Sequence, residues 1–231
     1  MAESPFANLW KFVVPPKATS GPRKPLTAQQ RKQRKLVLGT AGVIILGALG
    51  WFAYSYVASA PQRAQKQFEE AVKLTGPGKY DQAIVEFTKA IDIWPQMSQA
   101  YLERALAHHQ LNQDDDALAD LDRALALDSS QARAYAIRAG IFLKRGQTDQ
   151  AIQEYGRSIQ ASPNAEAYFE LGEIFEAAGQ HQKAVESYSS AISYIPTAPY
   201  VYRARAFAKQ NLGDEAGAED DRKIARGYER R

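Results

Sequence analysis

Apolar and polar residues follow a helical period through most of this chain. Between residues 81 and 94, Ala83, Ile84, Phe87, Ala90 and Ile91 lie three to four positions apart and form one stripe. Ala117, Leu118, Leu121, Ala124 and Leu125 repeat the stripe in the next unit. No segment sustains the period-two alternation of a half-buried strand, so the pattern predicts an all-α fold.

A second, longer period is laid over the first. Ala83, Ala117, Ala151, Ala184 and Ala218 recur at spacings of 34, 34, 33 and 34, each preceded twelve residues earlier by Ala71, Ala105, Ala139, Gly172 or Ala206. A third small column runs through Ala90, Ala124, Ser158, Ala191 and Ala225. Such a period marks stacked helical hairpins, none of which can bury its apolar face alone. The small columns mark where paired helices approach most closely, and enlarging them would cost roughly 1–3 kcal/mol by overpacking. Tyr101, Tyr135, Tyr168 and Tyr202 recur in register, as do Phe87, Leu121, Tyr155 and Tyr188. Gly78, Asn112, Gly146, Gly179 and Gly213 predict left-handed turns between helices. Pro95, Pro163 and Pro196, with Ser129 in the equivalent place, end the second helices.

This combination of small, aromatic, turn and proline columns resembles the tetratricopeptide repeat family over about residues 64–231. The resemblance implies a right-handed superhelical array of five hairpins, about 64–97, 98–131, 132–164, 165–198 and 199–231. Repeat 1 matches least well, with Gln67 and Glu70 in place of Tyr and of Arg or Leu. Arg104 with Asp120, Arg138 with Glu154 and Arg205 with Asp221 are each 16 residues apart and are predicted to pair across a hairpin. Repeat 4 replaces both members, with Leu171 and Ser187. Glu70 and Glu86 in repeat 1 do not fit this rule. Glu219, Arg222 and Arg226 stand where earlier repeats carry apolar residues, so repeat 5 is expected to cap the array with a polar face.

Upstream of the array the chemistry changes. Leu36–Ala58 contains no Asp, Glu, Lys or Arg. As one helix it would span about 34 Å, against a hydrocarbon core of about 30 Å. Trp51, Phe52, Tyr54 and Tyr56 crowd one end as interfacial aromatics do. The expectation is an uncleaved, single-pass membrane anchor, with Leu36, Trp51, Tyr54 and Tyr56 in the bilayer. Gly39, Gly42, Gly50 and Ala53 form a small-residue face for packing against another helix. Residues 1–60 hold eight of the 29 Lys/Arg and one of the 26 Asp/Glu, so this stretch carries +7 and the remainder −4. The positive-inside rule then places the N-terminus in the cytoplasm and the repeats across an inner membrane, in a periplasmic or extracytoplasmic space. On this reading the domains are a Pro-rich basic arm (1–26), a juxtamembrane and membrane helix (27–60) and the repeats (61–231). The apolar cluster Phe6, Leu9, Trp10, Phe12, Val13 and Val14 in the arm would lie on the bilayer or dock to a partner. Lipid headgroups suffice as partners for the basic arm, and nucleic acid is not expected.

The sequence offers no catalytic, metal or cofactor constellation. His108 and His109 are adjacent and point to different sides of a helix, and the chain has no cysteine. Asp114, Asp115 and Asp116 open a helix, where carboxylates favour the dipole. Gly76-Pro77-Gly78 lacks the following Lys-Ser/Thr of a phosphate loop. No enzyme activity and no small-molecule substrate are expected. The family resemblance implies instead a groove on the first helices that binds a protein segment. Its columns fall on Phe68, Leu102, Leu106, His109, Arg133, Ile137, Phe169, Glu170, Glu173, Glu176 and Phe207. Phe68 and Val72 replace the polar residues with which the chaperone-tail-binding subset clamps a terminal carboxylate, so that activity is not expected. The function implied is a membrane-anchored interaction scaffold or assembly factor. The alternatives are a permanent accessory subunit of a membrane complex and an organellar import receptor.

Overall fold

The computed structural model describes residues 27–29 and 47–230 and divides into two units, residues 1–57 and 58–231. In the first unit, the described residues from 47 onward are helical. Trp51, Tyr54 and Tyr56 are exposed there, as are Gly50 and Ala53. Leu36, Gly39, Gly42 and the arm 1–26 lie outside the described residues. Among the described residues, no helix is long and apolar enough to cross a membrane. This corrects the single-pass anchor, and the orientation and lipid contacts deduced from it fall as well. After Ser59 the chain enters a helix carrying Arg63, Lys66, Glu69, Glu70 and Lys73.

The second unit contains ten helices among its described residues, and none of these forms a strand. They are α1 (Ala60–Thr75), α2 (Tyr80–Ile93), α3 (Ser98–Gln110), α4 (Asp114–Leu127) and α5 (Ala132–Lys144). Then follow α6 (Thr148–Ala161), α7 (Ala165–Ala177), α8 (His181–Tyr194), α9 (Pro199–Asn211) and α10 (Glu215–Glu229). Consecutive pairs form five hairpins. All five predicted turn residues have φ between +58° and +84°, Asn112 included. Each closes its first helix with a pair of backbone bonds, such as Gln113 N–H to His108 O and Asn112 N–H to His109 O, both 2.9 Å. The second helices stop where the next residue is proline: Trp94, Ser162 and Ile195 are forced towards extended backbone. Asp128 does the same before Ser129.

The small columns carry the packing. Ala83, Ala117, Ala151, Ala184 and Ala218 are fully buried, as are Ala71, Ala105 and Ala139, and Ala206 is nearly so. The core forms four clusters, each drawing residues from two neighbouring repeats, for example Phe68, Phe87 and Met97 of repeat 1 with Ala100 of repeat 2. Both ends of the array turn polar. Where repeats 2–5 bury Ala100, Ala134, Ala167 or Val201 against the preceding repeat, repeat 1 has the exposed Lys66. Lys73 likewise replaces Ala107, Ile141, Ile174 and Ala208. At the other end Glu219 pairs with Arg226 at 2.7 Å and with Arg222 at 3.8 Å, covering the outer face of α10.

Three arginines staple the stack. Arg104 grips Asp120 through two bonds of 2.7 Å, and its remaining Nη1 donates to Thr88 of the preceding repeat at 2.9 Å. Arg138 joins Glu154 and Asp122, and Arg205 joins Asp221 and Ser189, in the same register. Each guanidinium also lies 5.5–5.6 Å from the ring of its column tyrosine. Asp120, Glu154 and Asp221 are buried, which explains why the pair is replaced as a unit in repeat 4: a lone buried carboxylate would be costly. Glu70 and Glu86 now have a reason too. Among the described residues no second helix of the array precedes repeat 1 to be stapled, and Glu86 is held by Gln67 and Lys89 instead.

Candidate functional site

Successive first helices lie side by side, α1 against α3, α3 against α5 and α7 against α9. Their shared face is therefore the inner layer of the array. The predicted groove residues divide on this face. Phe68 and Leu102 are core residues, 6% and 7% exposed, and Phe68 packs on Phe87 at 5.6 Å. Their assignment to an open groove is corrected: they point between the helices. His109 sits at the hairpin turn, its Nδ1 2.8 Å from Asp114. The Lys144 ammonium hydrogen-bonded to Asp114 holds that carboxyl below its ordinary range. Phe169 is half-buried between Tyr188 and Tyr200. Glu173 accepts the Tyr188 hydroxyl at 2.8 Å, and Glu176 accepts from Asn211 at 2.6 Å and contacts His181 at 2.9 Å. The acidic run of α7 is thus partly engaged in holding repeats 4 and 5. Phe207 remains 57% exposed beside Tyr200, at 46%.

Leu106, Arg133, Ile137 and Glu170 do come together, around a cleft of about 480 Å³ between α5 and α7. The first helices are least closely packed there. Two local features open it. The linker from α6 to α7 has only Ser162, Pro163 and Asn164, one residue fewer than the others, which is the source of the 33-residue spacing. The longer linkers enter their next helix through a backbone turn, as in Ala134 N–H to Gln131 O. Asn164 instead caps α7 with its side chain, accepting from Ala167 N–H at 2.9 Å. Secondly, α5 lacks bulk. Ala136 stands where the other repeats have Phe68, Leu102, Phe169 or Arg203, and Gly140 where they have Val72, Leu106, Glu173 or Phe207.

Three polar groups at this cleft were missed by the sequence reading. Asn164 and Glu166 line it, and so does Tyr155, whose ring belongs to the core while its hydroxyl end faces the opening. Burial, then the charges of Glu170 and Glu166, push the Tyr155 hydroxyl well above the ordinary phenol range. Burial first, then Glu166 and Glu173, raise the Glu170 carboxyl. The unequal spacing in the alanine column was the available signal. Among the described residues, no group of three or more His, Asp or Glu is placed to hold a metal ion.

Comparison with known proteins agrees with this architecture. The tetratricopeptide repeat family model matches residues 76–132 and 138–200. No curated protein matches the chain. A crystal structure of MamA is 26% identical, covering 69% of this chain and 94% of its own, with a TM-score of 0.63. MamA from Desulfovibrio magneticus RS-1 is 18% identical over 72% of this chain and 95% of its own, also at 0.63. Pseudomonas aeruginosa pilF is 18% identical over 74% and 78%, at 0.66.

Proposed function

We propose that this chain, which belongs to the tetratricopeptide repeat family, is a protein-interaction scaffold that binds an extended segment of a partner along its first helices. The family's fold is a typical non-enzymatic interaction scaffold. One observation supports this placement: the cleft between α5 and α7 opens among the first helices, and large apolar side chains stay exposed along the same helices, as Val85, Tyr194 and Ile224 do on second helices. Val72 is 41% exposed, Tyr200 46% and Phe207 57%, and the cleft between α5 and α7 lies on the same face. Acidic residues interleave with these apolar ones, which suits a segment carrying both apolar and basic side chains.

Site-specific photo-cross-linking tests the reading. A benzophenone amino acid at Leu106 or Phe207 should trap partner proteins. The same probe at the exposed second-helix positions Asp92 or Gln182 should not. Equal trapping from both sets would place the binding surface elsewhere.

A further inference from the structure

The polar groups around the cleft are unequally satisfied. Ser158 donates to Ala132 O at 2.9 Å, Asn164 caps α7, and Arg133 is held by Glu103 at 2.6 Å. By contrast, Glu166 and Glu170 make no hydrogen bond or ion pair among the described residues. Tyr155 is only 5% exposed, yet its hydroxyl has no hydrogen-bond partner among them either. Its counterpart Tyr188 does have one, in Glu173. The hydroxyl end of this otherwise buried ring reaches the cleft, where it is accompanied by two carboxylates one helical turn apart.

Gly140 points the same way. A Cβ built on Gly172 would meet the Tyr188 ring at 2.4 Å, so packing requires that glycine. A Cβ on Gly140 would meet nothing nearer than the Tyr155 hydroxyl at 4.0 Å. Glycine in mid-helix is unfavourable, and here the fold does not demand it. Together with Ala136 it keeps side-chain volume off the α5 wall.

We propose that this cleft is the subsite for an arginine side chain of the bound segment. The assignment rests on the reading that the first-helix face binds a protein segment. The aliphatic stem lies along Leu106, Ala136 and Ile137, and the guanidinium reaches Glu166, Glu170 and the Tyr155 oxygen. Arginine fits better than lysine because its flat, weakly hydrated fork of donors can serve several acceptors in a partly desolvated site.

The probe is Nα-acetylarginine amide, titrated into the isotopically labelled full chain and followed by amide NMR. Signals of Ala136, Tyr155 and Glu170 should shift, and acetylcitrulline amide should leave them in place. Glu170→Gln should weaken the response about tenfold, in line with the loss of one charge-assisted bond. Ala136→Leu, which copies Leu102 of repeat 2, should abolish it with helicity unchanged. Equal shifts with acetyllysine amide, or an arginine response indifferent to both substitutions, would overturn the assignment. Should cross-links from Phe207 persist with no arginine response, the subsite falls and the scaffold reading stands; absence of both removes both.

Discussion

Gly172→Ala is the sharpest single test of how the hairpins pack. The new methyl would sit 2.4, 2.6 and 2.9 Å from Cε1, Cδ1 and Cζ of Tyr188. That ring is 1% exposed, packs on Phe169 with centroids 5.6 Å apart, and is anchored by its bond to Glu173. It cannot swing aside without losing the bond or parting α7 from α8. Overpacking of this kind costs about 1–3 kcal/mol. Alanine in place of glycine returns about 1 kcal/mol of helix propensity. The expected net effect is therefore destabilisation by roughly 1 kcal/mol, reaching about 2 if the ring stays fixed. Gly140→Ala meets only the Tyr155 hydroxyl at 4.0 Å, an ordinary contact, and should stabilise by about 0.5–1 kcal/mol. Urea unfolding followed at 222 nm, with linear extrapolation, resolves a difference of this size. In a Tyr188→Leu background the clash disappears, and Gly172→Ala should turn stabilising, since repeat 2 already pairs Ala105 with Leu121. If Gly172→Ala and Gly140→Ala were equally stabilising in the parent chain, close approach at the small column would not be what selects glycine there.

The staples predict a second pattern: Arg104→Leu should cost about 3 kcal/mol by stranding buried Asp120, and Arg104→Leu with Asp120→Ser should recover most of it, as repeat 4 does with Leu171 and Ser187. Urea midpoints of the singles and the double give the answer. Burial opposes the charge of Asp221, but hydrogen bonds from Arg205 and Lys209 outweigh it and hold the carboxyl below its ordinary value. A depressed folded pKa adds stability above the unfolded value, about 3.9, and loses it as pH falls through the folded one. Acid melts should therefore steepen below about pH 4, and Asp221→Asn should flatten that part of the curve. Replacing Glu219, Arg222 and Arg226 with Ile, Phe and Ile restores the apolar columns on the outer face of α10, and light scattering should then show concentration-dependent self-association.

Much of the fold was legible because a repeated sequence states its rules several times. Five residues predicted at turns all took positive φ, and three Arg–carboxylate pairs predicted at 16-residue spacing all formed. The third arm of each staple was not legible. Thr88, Asp122 and Ser189 stand 16 residues before their arginines but share no charge or size, so no column announced them. Two of the groove positions were misplaced for a geometric reason. Core and groove positions on one helix differ by a single step of about 100°, so Phe68 and Leu102 were read as open when they face inward. The anchor read from Leu36–Ala58 failed differently: among the described residues no helix is long and apolar enough to cross a membrane, and residues 36–46 lie outside them.

The cleft illustrates the limit of column reasoning, because it is built from what is missing. A shortened linker, small residues on α5 and the lost staple of repeat 4 all fall at the junction of repeats 3 and 4. There Gly156 takes the position of Thr88, Asp122 and Ser189, facing the register of Leu171. Each departure alone resembles repeat drift. Together they part the first helices α5 and α7, while α6 still packs on α7. Repeats 2 and 3 are bridged by Arg133–Glu103, Arg138–Asp122, Lys144–Asp114 and Arg145–Asp115, whereas no ion pair joins repeats 3 and 4 among the described residues. Charge pairing is thus concentrated on one side of α5, while on the other two unpaired carboxylates and the hydroxyl end of Tyr155 line one cleft. A junction shaped only by packing would have kept its bulk and its staple.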